Sequence, residues 1–149
     1  MAAEAGVSRA LVHTYLGDRR GLIDAVQVHI VSRLDTWVGH SLSRAGNRGD
    51  ALRALVQGTF SFVETDRDAW GVLGTTGGFD HPALHGVRAR WTVRLSADDR
   101  PDDLHASAAV GALLGGVASW VNRGVDPNAV IAALAPLLQG PPPSPDDGS

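Results

Sequence analysis

The residues of this sequence with the clearest capacity for chemistry lie in the run Ala5 to Val26, AGVSRALVHTYLGDRRGLIDAV. Ser8 and Asp18 are residue types that cap helix N-termini, because a short side-chain oxygen can accept the unpaired amide protons of the first turn. Gly17 suits the left-handed position that ends a helix. The run therefore predicts a short helix over Ser8 to Leu16 between two turns. This is the helix-turn-helix arrangement, in which the second helix enters a DNA major groove. The helix over Ser8 to Leu16 would be that second helix.

The side chains of this predicted helix are of types that contact DNA. Arg9 can donate two hydrogen bonds to O6 and N7 of guanine, and Ala10 can pack on a thymine methyl group. His13 and Thr14 project on the same side as Arg9, so we expect them to contact DNA as well. Six arginines and four acidic residues lie in residues 1–48, so this end is positive although the chain carries a net charge of −3.

The same run resembles the DNA-binding signature of the TetR family of bacterial transcriptional regulators. His13 departs from that signature, since the family mostly has tyrosine at this position. The resemblance implies that Tyr15 and Arg19 contact the phosphate backbone, which positions a helix without reading sequence. We expect Ser8, besides capping its helix, to donate a hydrogen bond to a phosphate. The positions that match directly or as close substitutes are Ala5, Gly6, Val7, Ser8, Val12, Tyr15, Leu16, Gly17, Arg19, Leu22 and Ile23.

The resemblance also implies a domain organisation and a function. It implies an all-α fold, with a partial helix-turn-helix over residues 1–27 and a regulatory and dimerisation bundle over residues 28–140. Members of the family bind palindromic double-stranded DNA as homodimers, most often as repressors, and a small effector lodged among the central helices lowers operator affinity. We expect the same here, with a small apolar effector and no cofactor. Six aromatic residues form the expected effector pocket, although their spacing is equally typical of a plain core: Trp37, Phe60, Phe62, Trp70, Phe79 and Trp91.

A complete DNA-binding domain of this family has two helices before the turn at Gly6, a first helix and a full second helix. Five residues precede Gly6 in this sequence, so we expect that first helix to be absent. Such a helix would bury several large apolar side chains, a contribution on the order of 10 kcal/mol. We therefore expect either that the true start lies upstream and the sequence is truncated, or that the recognition helix is loosely held. Both alternatives predict poor DNA binding by the 149-residue form. An alternative is a helical dimer deficient in DNA binding that only binds a ligand or partner.

Apolar residues recur at three- and four-residue spacing along most of the chain, which predicts helices throughout. Asp50 is the predicted cap of the second long helix, and Asp126 with Pro127 is predicted to open the last one. The stretch Trp70 to Asp80 contains four glycines and is predicted to be a short helix or a loop. The proline-rich tail over residues 141–149 is predicted to be disordered. The other predicted helices are Asp18 to about Arg44, Pro82 to about Ser96 and Leu104 to Asn122.

The stretch from Leu104 to Asn122 is almost continuously small and apolar. Each glycine inside a helix costs about 1 kcal/mol relative to alanine, so its three glycines predict close approach by a neighbouring helix. The stretch falls short of the roughly 20 apolar residues of a membrane span and contains a histidine and two serines, so we expect no membrane span. By resemblance to the family, this helix and the last one form the homodimer interface, with Ala108, Gly111, Ala112, Gly115, Val130, Leu134 and Leu138.

A metal-dependent enzyme is the other alternative that the sequence leaves open. Asp80, His81 and His85 lie close together in sequence and are possible metal ligands. No Gly-x-Ser-x-Gly elbow and no phosphate-binding loop accompany them, so a protein that is not an enzyme is favoured. The sequence has no cysteine and starts without a secretory signal pattern, so we expect a cytoplasmic protein.

Overall fold

The structure is a computed structural model, and it describes residues 19–139. These residues contain six α-helices and one 3-10 helix. No strand occurs among these residues, so the prediction of an all-α class is confirmed. The predicted recognition helix and the tail lie outside the described residues. The helices are α1 (Arg19–Leu42), α2 (Arg48–Thr65), α3 (Arg67–Thr75), the 3-10 helix (Gly78–Asp80), α4 (Pro82–Leu95), α5 (Leu104–Asn122) and α6 (Pro127–Leu138).

Side-chain caps fix where several helices begin. Asp126 accepts a hydrogen bond from the Asn128 amide, and Pro127 occupies the first turn of α6, as the sequence predicts. The prediction that Asp50 caps α2 is wrong, because the cap is Asn47, whose side chain accepts from the Asp50 amide. Asn47 and Asp50 are both good capping residues, and the helix begins at the earlier of the two.

The stretch between α2 and α4 contains more helix than its glycines suggest. Asp66 ends α2 and caps α3, where its side chain accepts from the Ala69 amide at 3.0 Å. Gly77 then adopts a left-handed conformation, with φ of 74°, which glycine tolerates without steric cost. That turn leads into the 3-10 helix and then into His81, whose ring caps α4.

Helix α2 is the centre of the core, since it packs against all five other α-helices. Its residue Gly58 allows α1 to approach closely, because a Cβ there would lie 3.2 Å from Cγ2 of Val38. Leu34 of α1, Leu55 of α2 and Leu113 of α5 are almost completely buried around it. One continuous apolar core therefore runs through all six α-helices.

Helix α5 is the one helix among the described residues that is long and apolar enough to cross a bilayer by length and composition. Seven of its residues lie in the core, from Ala106 to Val121. A core helix passes the same test of length and composition. Leu104, at its start, is 77% exposed.

Candidate ligand groove and dimer face

Most of the residues predicted to contact DNA lie outside the described residues: Ser8, Arg9, Ala10, His13, Thr14 and Tyr15. The remaining one, Arg19, is the first residue of α1 and is exposed. Its position leaves a phosphate contact sterically possible, and the DNA-contacting set stays a prediction.

Two polar contacts tie the beginning of α1 to the segment around the 3-10 helix. Gln27, which is 6% exposed, donates from Nε2 to the carbonyl oxygen and to Oγ1 of Thr76, both at 2.9 Å. Nε2 of His81 lies 2.5 Å from Oδ1 of Asp24. Because Nδ1 of His81 accepts from the Ala83 amide, Nε2 is the nitrogen that donates to Asp24.

The metal-site alternative is not supported by the geometry around His81. Both ring nitrogens of His81 already have hydrogen-bond partners, one of them the cap of α4. Among residues 19–139, no group of three or more His, Cys, Asp or Glu side chains is placed to hold a metal ion. The structure therefore does not bring Asp80, His81 and His85 together as ligands, because His81 turns towards Asp24 as α4 begins.

Four of the six aromatic residues predicted to form a pocket contact one another in a row. Trp37 meets Phe62 edge-on at 6.2 Å between ring centroids, Phe62 meets Trp70 at 6.4 Å, and Trp70 meets Phe79 at 5.4 Å. Phe62 and Trp70 are buried, whereas Trp37 is 43% exposed. Phe62 and Trp70 pack as core with Phe79 partly buried against them, and the role of all four residues as the wall of an effector pocket stays a prediction.

The other two aromatic residues of the predicted pocket, Phe60 and Trp91, are also buried. Phe60 stacks on Trp120 at 6.4 Å between ring centroids. Trp91 lies in α4, and its indole Nε1 has no hydrogen-bond partner among the described residues. Trp91 is therefore a core residue that retains an unused donor.

An open groove of about 500 Å³ runs between α1 and α4, and Trp91 is one of its lining residues. At one end Arg90 donates to Oδ2 of Asp35 at 2.8 Å. At the other end Arg94 donates to the carbonyl oxygens of Leu42 and Ala45, at 2.7 and 3.0 Å. We call this the α1/α4 groove; its lining residues are Asp35, Gly39, Leu42, Ser43, Arg90, Trp91, Val93 and Arg94.

A second open groove, of about 310 Å³, lies between α5 and α6. Small apolar side chains dominate it, with Arg123 as its one charged lining residue. We call this the α5/α6 groove; its lining residues are Ala112, Trp120, Arg123, Val125, Ala129, Val130, Ala133 and Leu134.

The predicted dimer residues divide according to burial. Ala108, Ala112 and Gly115 are exposed and lie on one face of α5, since residues three and four apart are neighbours on a helix. Val130 and Leu134 are buried within the chain and line the α5/α6 groove. Gly111 and Leu138 are half-buried. The first three could meet a partner directly, and the dimer interface stays a prediction.

Within residues 19–139, the atoms nearest to a Cβ at the glycines of α5 belong to side chains, so the close approach of a neighbouring helix backbone that the sequence predicts stays a prediction. A Cβ at Gly111 would lie 3.3 Å from Nη2 of Arg88, the end of a side chain. A Cβ at Gly116 would overlap the ring of Trp120, one turn along the same helix. A Cβ at Gly115 would have no heavy atom within 4 Å, so the space beside this residue is open to the outside of the chain.

Sequence reasoning missed the charged residues of the α1/α4 groove. Arg90 and Arg94 lie one turn apart on α4, next to the apolar stripe that predicts that helix. Two arginines at this spacing beside buried Trp91 are the signal that could have indicated a polar rim on an apolar groove. Asp35, the partner of Arg90, is 55 residues away from it in sequence, so no local pattern reveals the pairing.

Comparison with known proteins adds no relative to this description. No protein-family model matches the chain, and no match was found among curated proteins or among solved structures.

Proposed function

We propose that this protein is a DNA-binding transcriptional regulator, acting as a repressor, that a small apolar effector releases from a palindromic operator. The observation that carries the proposal is the run Ala5 to Val26, which resembles the DNA-binding signature of the TetR family. The last part of this run forms the first turns of α1, which begins at Arg19. In the sequence, only Gly17 and Asp18 separate the predicted recognition helix from this helix.

The contacts at the start of α1 support a response to a ligand. Asp24 and Gln27 connect α1 to His81 and Thr76, which flank the 3-10 helix. The same helix α1 forms one wall of the α1/α4 groove, about three turns further on. A ligand that shifts α1 would therefore also shift the segment that precedes it, and an effector acts by binding the two arrangements with different affinity.

The exposed small residues of α5 support a homodimer. Helix backbones can approach closely where side chains are small, and Ala108, Ala112 and Gly115 present such a surface. A two-fold axis would place the same surface of a second copy against it. Two DNA-reading helices related by that axis would recognise a palindromic site.

The test is selection of duplexes from a randomised DNA pool with the 149-residue chain, at about 50 mM salt to strengthen weak electrostatic contacts. Because we expect this chain to bind DNA poorly, we expect enrichment of an inverted repeat to be weak but selective. Arg9→Ala should lose about 1–3 kcal/mol of binding free energy at one base position, whereas Arg19→Ala should weaken all sites and reduce the salt slope by about one.

Each outcome of the selection bears on the proposal. If both variants weaken every sequence equally, the assignment of Arg9 to base recognition is wrong. If the wild-type chain enriches no sequence while remaining folded and dimeric, the regulator proposal fails. The alternative of a helical dimer that binds only a ligand or partner then stands.

A further inference from the structure

The α1/α4 groove has the size and the lining of a small-molecule site. Its volume of about 500 Å³ lies within the range of roughly 300–1,000 Å³ that ligand pockets occupy. Leu42, Trp91 and Val93 give it an apolar surface. Gly39 also lines the groove, and a Cβ there would have no heavy atom within 4 Å, so a larger side chain at this position would extend into open space.

The charged residues of the groove favour a ligand with one negative charge. Asp35 already neutralises Arg90 through an ion pair at 2.8 Å. Arg94 donates to two backbone carbonyl oxygens and forms no ion pair in the described part of the chain. Arg94 is therefore the cation of the groove whose charge has no carboxylate partner, and an anion is favoured at its end, away from Asp35.

We infer that the α1/α4 groove binds an amphipathic organic anion, with its apolar body over Leu42 and Trp91 and its anionic group beside Arg94. This inference refines the effector of the proposed function, and it rests on that function for the role of effector. Binding of the anion does not depend on DNA, so the two claims can fail separately.

The test uses 1-anilinonaphthalene-8-sulfonate, an aromatic anion whose fluorescence rises in apolar sites, titrated into the full chain. Gly39→Leu places a large side chain in the groove and should abolish saturable binding of the probe. Gly71→Leu is the matched control, because Gly71 is also a helical glycine with no heavy atom within 4 Å of a Cβ. The control should bind the probe as the wild type does.

The role of Arg94 is tested by comparing that probe with its uncharged analogue N-phenyl-1-naphthylamine. Arg94→Gln should weaken the anion by about tenfold, the loss of one charge-assisted hydrogen bond, and leave the neutral analogue nearly unchanged. Equal weakening of both probes would show that Arg94 only holds α1 in place, and it would overturn the assignment of the anion site.

Two further outcomes would overturn the inference. One is unchanged binding of the sulfonate to Gly39→Leu when circular dichroism shows that the variant is folded. The other is loss of binding in Ala133→Leu, which fills the α5/α6 groove, together with full binding in Gly39→Leu. If the probe binds in the α1/α4 groove but does not alter DNA binding, the site stands and its role as effector site fails.

Discussion

The α1/α4 and α5/α6 grooves are both open and largely apolar, but different residues line them. The α1/α4 groove combines a buried tryptophan with Asp35, Arg90 and Arg94, whereas small aliphatic residues form most of the α5/α6 groove. Covering the charged groove with an apolar helix would remove three charges from water, which is costly without new partners. This difference is the reason why we propose a small ligand for the first groove and another copy of the chain for the second.

Helix α1 of the first groove and helix α6 of the second also differ in their ion pairs. Two of the three ion pairs between charged side chains among residues 19–139 involve α1, through Arg33 and Asp35. The third lies within the turn between α4 and α5. Helix α6 is held by apolar packing and by a hydrogen bond from Arg48 to the Leu138 carbonyl. Helix α1 therefore adds ion pairs to its apolar packing, and a charged ligand can exchange such contacts.

The largest expected effect separates the tryptophans of the two grooves. Trp91→Ala removes a side chain that is 1% exposed, and we expect a loss of about 3–5 kcal/mol in the free energy of unfolding. Trp120→Ala removes a half-buried ring and should cost clearly less. Urea denaturation of both variants measures the difference. Equal losses would show that Trp91 is not more deeply embedded than Trp120.

The next effect tests the face of α5 as a dimer interface. Gly115→Trp places a large ring on that open face, at a cost of about 1–3 kcal/mol by analogy with overpacking, and two-fold symmetry applies the cost twice. We expect monomers in light scattering at micromolar concentration. Gly71→Trp, at an open glycine of α3, is the control and should remain dimeric. A wild-type chain that is strictly monomeric under these conditions would refute the interface.

Sequence alone predicts those features that neighbouring residues decide. The bounds of α5 and the start of α6 follow from a cap, a proline and an apolar run, and each of these acts within one or two helical turns. The predicted cap of α2 is wrong because Asn47 and Asp50 compete over the same turn. The α1/α4 groove escapes sequence reasoning because Gly39 and Trp91 come to line one groove only through the packing of α1 against α4.

The smallest expected effect concerns stability at low pH and involves Asp66, which forms an ion pair with Arg33 of α1. The pKa of Asp66 is lowered from its ordinary 3.8, first by the hydrogen bond from the Ala69 amide and then by Arg33. A carboxyl group whose pKa is lower in the folded state contributes stability above its unfolded pKa. That contribution is lost as pH falls through the lower folded value. The window for Asp66 therefore lies below about pH 4.

Asp66→Asn tests this contribution while keeping an oxygen that can cap α3. The variant should be slightly less stable than the wild type at pH 6, and the difference should shrink below about pH 4. Thermal unfolding at a series of pH values measures both limbs. Parallel curves for the two proteins down to pH 3 would mean that the charge of Asp66 does not contribute to stability.

The central claim, that a ligand at the α1/α4 groove controls DNA binding, is tested most directly by linkage. The affinity for the selected duplex is measured by fluorescence anisotropy with and without saturating 1-anilinonaphthalene-8-sulfonate. We predict that the probe weakens DNA binding of the wild type and of Gly71→Leu by about 5- to 150-fold, the usual range of coupling between sites. Gly39→Leu should show no change. Unchanged DNA affinity in the wild type, with the probe bound in the groove, would contradict the account.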